Sequence, residues 1–110
     1  MKIAYFTEMG WEGKIDRKTH DNMRTEFAWM SSLNADHYNI SSELTQDYDL
    51  GIVIVPKTNP DIDIQKIRIH CKKIAIQQEG PSWYFQDYSL PHQFHFHNHL
   101  MEADYIFAHN

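Results

Sequence analysis

At 110 residues, with 42% hydrophobic and 14% aromatic side chains, the chain has the length of one domain and the apolar content of a folded globule, which excludes a disordered segment. Its formal charge of −5, without a run of Lys or Arg to track a phosphate backbone, excludes the electrostatic footprint of a nucleic-acid partner. Cys71 is the single cysteine, which rules out an intramolecular disulfide framework, and no apolar run approaches the roughly 18 residues of a membrane span. Met1 to Phe6 lack the charged and long apolar regions of a signal peptide, so a cytoplasmic location is expected.

In chain order, Ile3-Ala4-Tyr5-Phe6 is a short apolar run that reads as a first strand, followed by a polar loop holding Gly10 and Gly13. Met23, Phe27, Met30 and Leu33 recur at i, i+4, i+7 and i+10, one stripe of an amphipathic helix over about residues 21–34, with Thr19 or Asp21 available as caps. His37 to Ile40 reads as a weak edge strand. Tyr48 to Pro56 is the strongest strand in the chain, because its β-branched run without alternation is what a strand covered on both faces needs. Asn59-Pro60 has the form of a helix cap with Pro at the first helical position, and Asp61 and Asp63 suit a helix start; Ile62, Ile64, Ile67 and Ile69 also carry strand-like alternation, and the helix is preferred. Lys73 to Gln77 is a further buried strand, Pro91 to Ala103 a helix, and Tyr105 to Ala108 a last strand.

This alternation predicts one α/β domain over residues 1–110, a three-layer Rossmann-like arrangement with a mostly parallel central sheet. The expected strand order is 3-2-1-4-5 or close to it, with Ile52–Val55 and Ile74–Ile76 in the middle. A parallel strand is usually followed by a crossover helix. Because the chain ends at Asn110 directly after a strand, a longer protein or a covering partner is expected.

Ligands of open parallel sheets bind just past the carboxyl ends of strands, so the strand endings are the places to look for chemistry. In Gln77-Gln78-Glu79-Gly80-Pro81-Ser82-Trp83-Tyr84, a short apolar strand runs into amides, a carboxylate and a turn. Amides and carboxylates hydrogen-bond sugar hydroxyls, and an aromatic ring such as Trp83 packs on the apolar side of a pyranose. In the loop Gly10-Trp11-Glu12-Gly13-Lys14, two glycines let backbone N–H groups approach an anion and Lys14 adds a charge; the same loop serves equally as plain surface. His92, His95 and His99 share one face if residues 92–99 are helical, whereas His95, His97 and His99 share one if they are extended. Neither set has a carboxylate or thiol at a matching position, so no metal site and no cofactor are expected. Arg24 reads as a surface partner of Asp21 or Glu26, and Cys71 as a structural thiol.

Several stretches resemble the N-terminal domain of two-domain GT-B glycosyltransferases, in particular bacteriophage and marine forms. They are the first strand with Thr7-Glu8-Met9-Gly10-Trp11-Glu12-Gly13-Lys14, the helix Asn22 to Met30, the segment Gln77 to Trp83, and Glu102-Ala103-Asp104-Tyr105-Ile106-Phe107-Ala108-His109-Asn110. The resemblance implies an acceptor-side domain whose donor nucleotide-sugar is held mainly by a C-terminal domain not contained in these residues, so that the chain alone transfers no sugar. It implies that Gly10, Trp11, Gly13, Lys14, Gln78, Gly80, Trp83 and His109 face substrate. Many relatives carry His at the end of this strand, so Gln78 or Glu79 would have to replace its contacts to the sugar, and Glu79 is the expected catalytic residue. The alternative is a small non-catalytic binding or regulatory module of flavodoxin-like shape, in which Trp83 and Tyr84 form a partner surface; an oligomer is compatible with either.

Overall fold

The computed structural model describes residues 1–7, 12–15, 25–40, 42–54, 63–78 and 90–108. Five strands, β1 (Ile3–Thr7), β2 (Asp36–Asn39), β3 (Tyr48–Ile54), β4 (Cys71–Gln78) and β5 (Tyr105–Ala108), form one sheet in the order β2-β1-β3-β4-β5. Every pairing is parallel, as the unalternating apolar runs imply. The helices are α1 (Thr25–Leu33), α2 (Ile64–Arg68) and α3 (Leu90–Glu102), and none among the described residues is long and apolar enough to cross a membrane.

The middle of the sheet is as expected, while the order 3-2-1-4-5 is corrected to 2-1-3-4-5. β3 buries Gly51 to Ile54 and needs a hydrogen-bonded neighbour on each side, so β1 and β4 take those places. β2, whose sequence is Asp-His-Tyr-Asn, is left on the outside of β1. The passage from β2 to β3 contains no helix among its described residues, 40 and 42–47.

Each face of the sheet carries its own core. On one, Ile3, Tyr5, Ile52, Ile54 and Ala75 pack with Met30 and Leu33 of α1. On the other, Ala4, Phe6, Val53, Ile74 and Ile76 pack with Ile64 and Ile67 of α2, and with Leu100 of α3 and Ala103 just beyond it. Helices therefore cover both faces, giving the three layers. Gly51 makes the second face tight: a Cβ there would lie 2.8 Å from Cys71 Sγ and 3.3 Å from Phe6 Cε2.

Local signals set the ends. α1 stops at Asn34, whose φ of 52° is the left-handed conformation that closes helices, and Ala35 N–H returns to the Met30 carbonyl at 3.0 Å. α2 starts at Ile64, where Asp63 caps it by accepting from Lys66 N–H at 3.2 Å, while Asn59 and Pro60 lie outside the described residues. Arg68 at the end of α2 reaches Asp104 at 2.5 Å and the Glu102 carbonyl at 2.6 Å. Asp104 in turn exchanges hydrogen bonds with Ile74, donating its own N–H at 2.8 Å and accepting the Ile74 N–H at 2.9 Å, so the entry into β5 is clamped to β4.

Candidate functional site at the carboxyl edge of the sheet

Because all five strands are parallel, Thr7, Asn39, Ile54, Gln78 and Ala108 end at the same edge of the sheet. The chain leaves β1 toward β2 on one side and leaves β3 toward β4 on the other, so the connections diverge between β1 and β3. Open parallel sheets bind ligands at such a divergence.

On the α1 face, just below that edge, four polar residues are buried: Tyr5, Thr7, His37 and Gln77. Strand register explains their meeting, since Tyr5 lies beside His37 and Ile52, and Ile54 lies beside Gln77. Thr7 Oγ1 and His37 Nε2 are 2.7 Å apart, and the Tyr5 hydroxyl crosses β3 to donate to the Gln77 side-chain oxygen. Buried polar groups are tolerated when they are hydrogen-bonded, and such pairs lock the side chains into one arrangement. Hydroxyl, imidazole and amide groups thus stand in a fixed pattern beneath the strand ends.

The expected site residues separate in the structure. Gln78 is the last residue of β4, at the carboxyl edge beside Ala108. Gly13 and Lys14 are not there. Gly13 exchanges two backbone hydrogen bonds with His37, 2.9 and 2.8 Å, along the outer edge of β2, where its φ of 107° suits a residue without a side chain. Lys14 sits farther toward the amino edge, 3.0 Å from the Asp36 carboxylate and 2.5 Å from the Asn34 carbonyl. The reason is that β2, as an outer strand, leaves main-chain groups that this segment satisfies. Gly10, Trp11, Glu79, Gly80, Trp83, Tyr84, Arg24 and His109 lie outside the described residues. Residues 92–99 are helical, so the extended arrangement of His95, His97 and His99 is replaced by the helical one.

A second polar group lies on the opposite face. The Tyr48 hydroxyl donates to Asp36 Oδ2 at 2.7 Å and meets the Tyr38 hydroxyl at 2.6 Å. Partial burial pushes the Asp36 carboxyl up, but the Tyr48 hydroxyl and the Lys14 ammonium outweigh it and hold the group below the usual carboxylate range. Burial, followed by the Tyr38 and Asp36 contacts, pushes the Tyr48 phenol up, so it stays protonated as the donor. This network ties β2 to β3 across the α2 face.

Sequence reasoning singled out the end of β4 and missed Tyr5, Thr7 and His37. Their signal is a polar atom at every second position, Tyr5 then Thr7, inside a run that otherwise reads as wholly apolar. Fold and edge together define a Rossmann-like α/β domain whose strand connections diverge between β1 and β3. Comparison of the chain with protein-family models, curated proteins and solved structures gives no match.

Proposed function

We propose that the chain is the acceptor-side domain of a nucleotide-sugar-dependent glycosyltransferase, acting with a second domain that holds most of the donor. The observation that carries this reading is the end of β4, where Gln77 is fixed by Tyr5 and Gln78 follows it at the carboxyl edge. An amide residue at that edge, Gln78, suits a polyhydroxylated ligand, because an amide, like a sugar hydroxyl, both donates and accepts. Glu79, next in sequence, is the residue assigned to catalysis in this reading. One observation favours a second reading, a non-catalytic flavodoxin-like module: the strand order 2-1-3-4-5 is the one such folds use.

Amide NMR titration of the 110-residue chain separates the two. The transferase reading expects saccharides and nucleotide-sugars to bind weakly, with Kd of about 1 mM, or about 4 kcal/mol. Shifts are expected at Thr7, Asn39, Gln77, Gln78 and Ala108, and Glu79→Ala should weaken them while leaving the rest of the spectrum intact. Micromolar binding of a nucleotide-sugar would overturn the division of labour between domains, and micromolar binding of a planar cofactor such as a flavin would favour the module. Saccharide shifts confined to Asn34 and Asp36 would place the site at the wrong edge.

A further inference from the structure

The two outer strands of the sheet are treated differently. β2 is polar, its outer edge is occupied by Gly13, and the charged pair Lys14–Asp36 stands at its start. β5 is uncharged, and no described residue pairs with its outer edge. Its side chains are open on both faces: Tyr105 is 54% exposed, Ile106 51% and Phe107 47%. Parallel sheets place such strands in their interior, and an open apolar edge is a template for another strand. The strand is also held ready, since the Arg68–Asp104 clamp fixes its entry and neutralises the charge nearest to it.

We infer that the outer edge of β5 pairs with the same edge of a second copy of this chain, antiparallel and about a twofold axis, making one continuous ten-stranded sheet. A second copy is the occupant that these edges select. Pairing of β5 with β2 would propagate into a filament, but β2 is blocked, so β5 against β5 is the arrangement that closes. Nothing on Tyr105–Ala108 repels its own image, and the twofold operation sets aromatic and aliphatic side chains against each other on both faces. Three half-exposed large side chains offer roughly 300 Å² per copy, well under half of the roughly 800 Å² per partner of a standard interface, so the dimer is a weak one that forms and dissociates with concentration.

Sedimentation velocity of the 110-residue chain from about 5 to 500 μM tests this, the range in which an interface below standard size should associate. The mass should rise from 13.1 kDa toward twice that value. Ile106→Lys, which sets like charges face to face near the axis, should hold the chain at the monomer mass while circular dichroism stays unchanged. As a second route, Ile106→Cys should cross-link into dimers under mild oxidation at least tenfold faster than Met101→Cys, which is more exposed but lies on α3. A monomer throughout the range overturns the inference. So does a dimer indifferent to Ile106→Lys, or equal cross-linking at the two positions. A complex with a different protein through this edge, without self-association, overturns it as well.

Discussion

Gly51→Ala tests whether β3 lies where the strand order puts it. The added methyl would stand 2.8 Å from Cys71 Sγ, 3.3 Å from Phe6 Cε2 and 3.4 Å from Cys71 Cβ, all side-chain atoms of residues that are 1–2% exposed. Overpacking of this kind costs about 1–3 kcal/mol, and the smaller unfolded-state entropy of Ala returns about 0.4–1 kcal/mol. The expected net loss is about 1–2 kcal/mol, or a fall in Tm of about 5–15 °C for a domain of this size. Urea unfolding followed by tryptophan fluorescence should show a lower midpoint with the slope unchanged. Adding Cys71→Ala removes the clashing sulfur and lets the new methyl occupy its space, so the double variant should recover about 1 kcal/mol relative to the sum of the singles. A neutral or stabilising Gly51→Ala, or a double variant that is merely additive, would mean that β3 and β4 do not meet in the register Gly51–Ile74.

Tyr48→Phe removes the donor to Asp36 and should cost about 1–2 kcal/mol. It should also raise the Asp36 pKa, read by carboxyl-carbon NMR titration; an unmoved Asp36 would refute the hydrogen bond. Because the folded Asp36 pKa lies below its unfolded value, its contribution is present above about pH 4 and is lost as pH falls through the folded value. Acid unfolding curves should therefore lose part of their pH dependence in Asp36→Asn. Burial pushes the Cys71 thiol up to about 11, so a thiol reagent at pH 8 should leave the folded chain unlabelled and react fully in urea, whereas rapid native labelling would contradict the packing against Gly51. Gly13→Ala places a side chain at φ 107° and should destabilise by more than about 1 kcal/mol while speeding hydrogen exchange at the His37 N–H; unchanged exchange would refute the cover over β2.

The elements most legible in the sequence are those whose residues are buried on both sides. Ile52 to Ile54 and Ile74 to Ile76 announce central strands by their composition, because a two-sided environment requires apolar groups at successive positions. α2 is less legible in the sequence, because Ile62, Ile64, Ile67 and Ile69 also fit strand alternation. Its start at Ile64 is set by the Asp63 cap together with burial of Ile64 and Ile67 against the sheet, whereas Asn59-Pro60 lies outside the described residues. The spacing of Met30 and Leu33 was enough to assign the packed side of α1.

What the sequence determined by itself is the class of fold, an α/β domain with its strands in parallel, because periodicity and two-sided burial are local in the chain. The carboxyl end of β4 was likewise readable, since a strand and the polar residues ending it are contiguous. Tertiary structure alone decided the order 2-1-3-4-5, the pairing of Gly13 with the outer edge of β2, and the meeting of Tyr5 with Gln77 and of Thr7 with His37. Those pairs are 72 and 30 residues apart. Their contacts depend on which strand lies beside which and in what register, quantities set by the balance of burial over the whole sheet and written in no single segment.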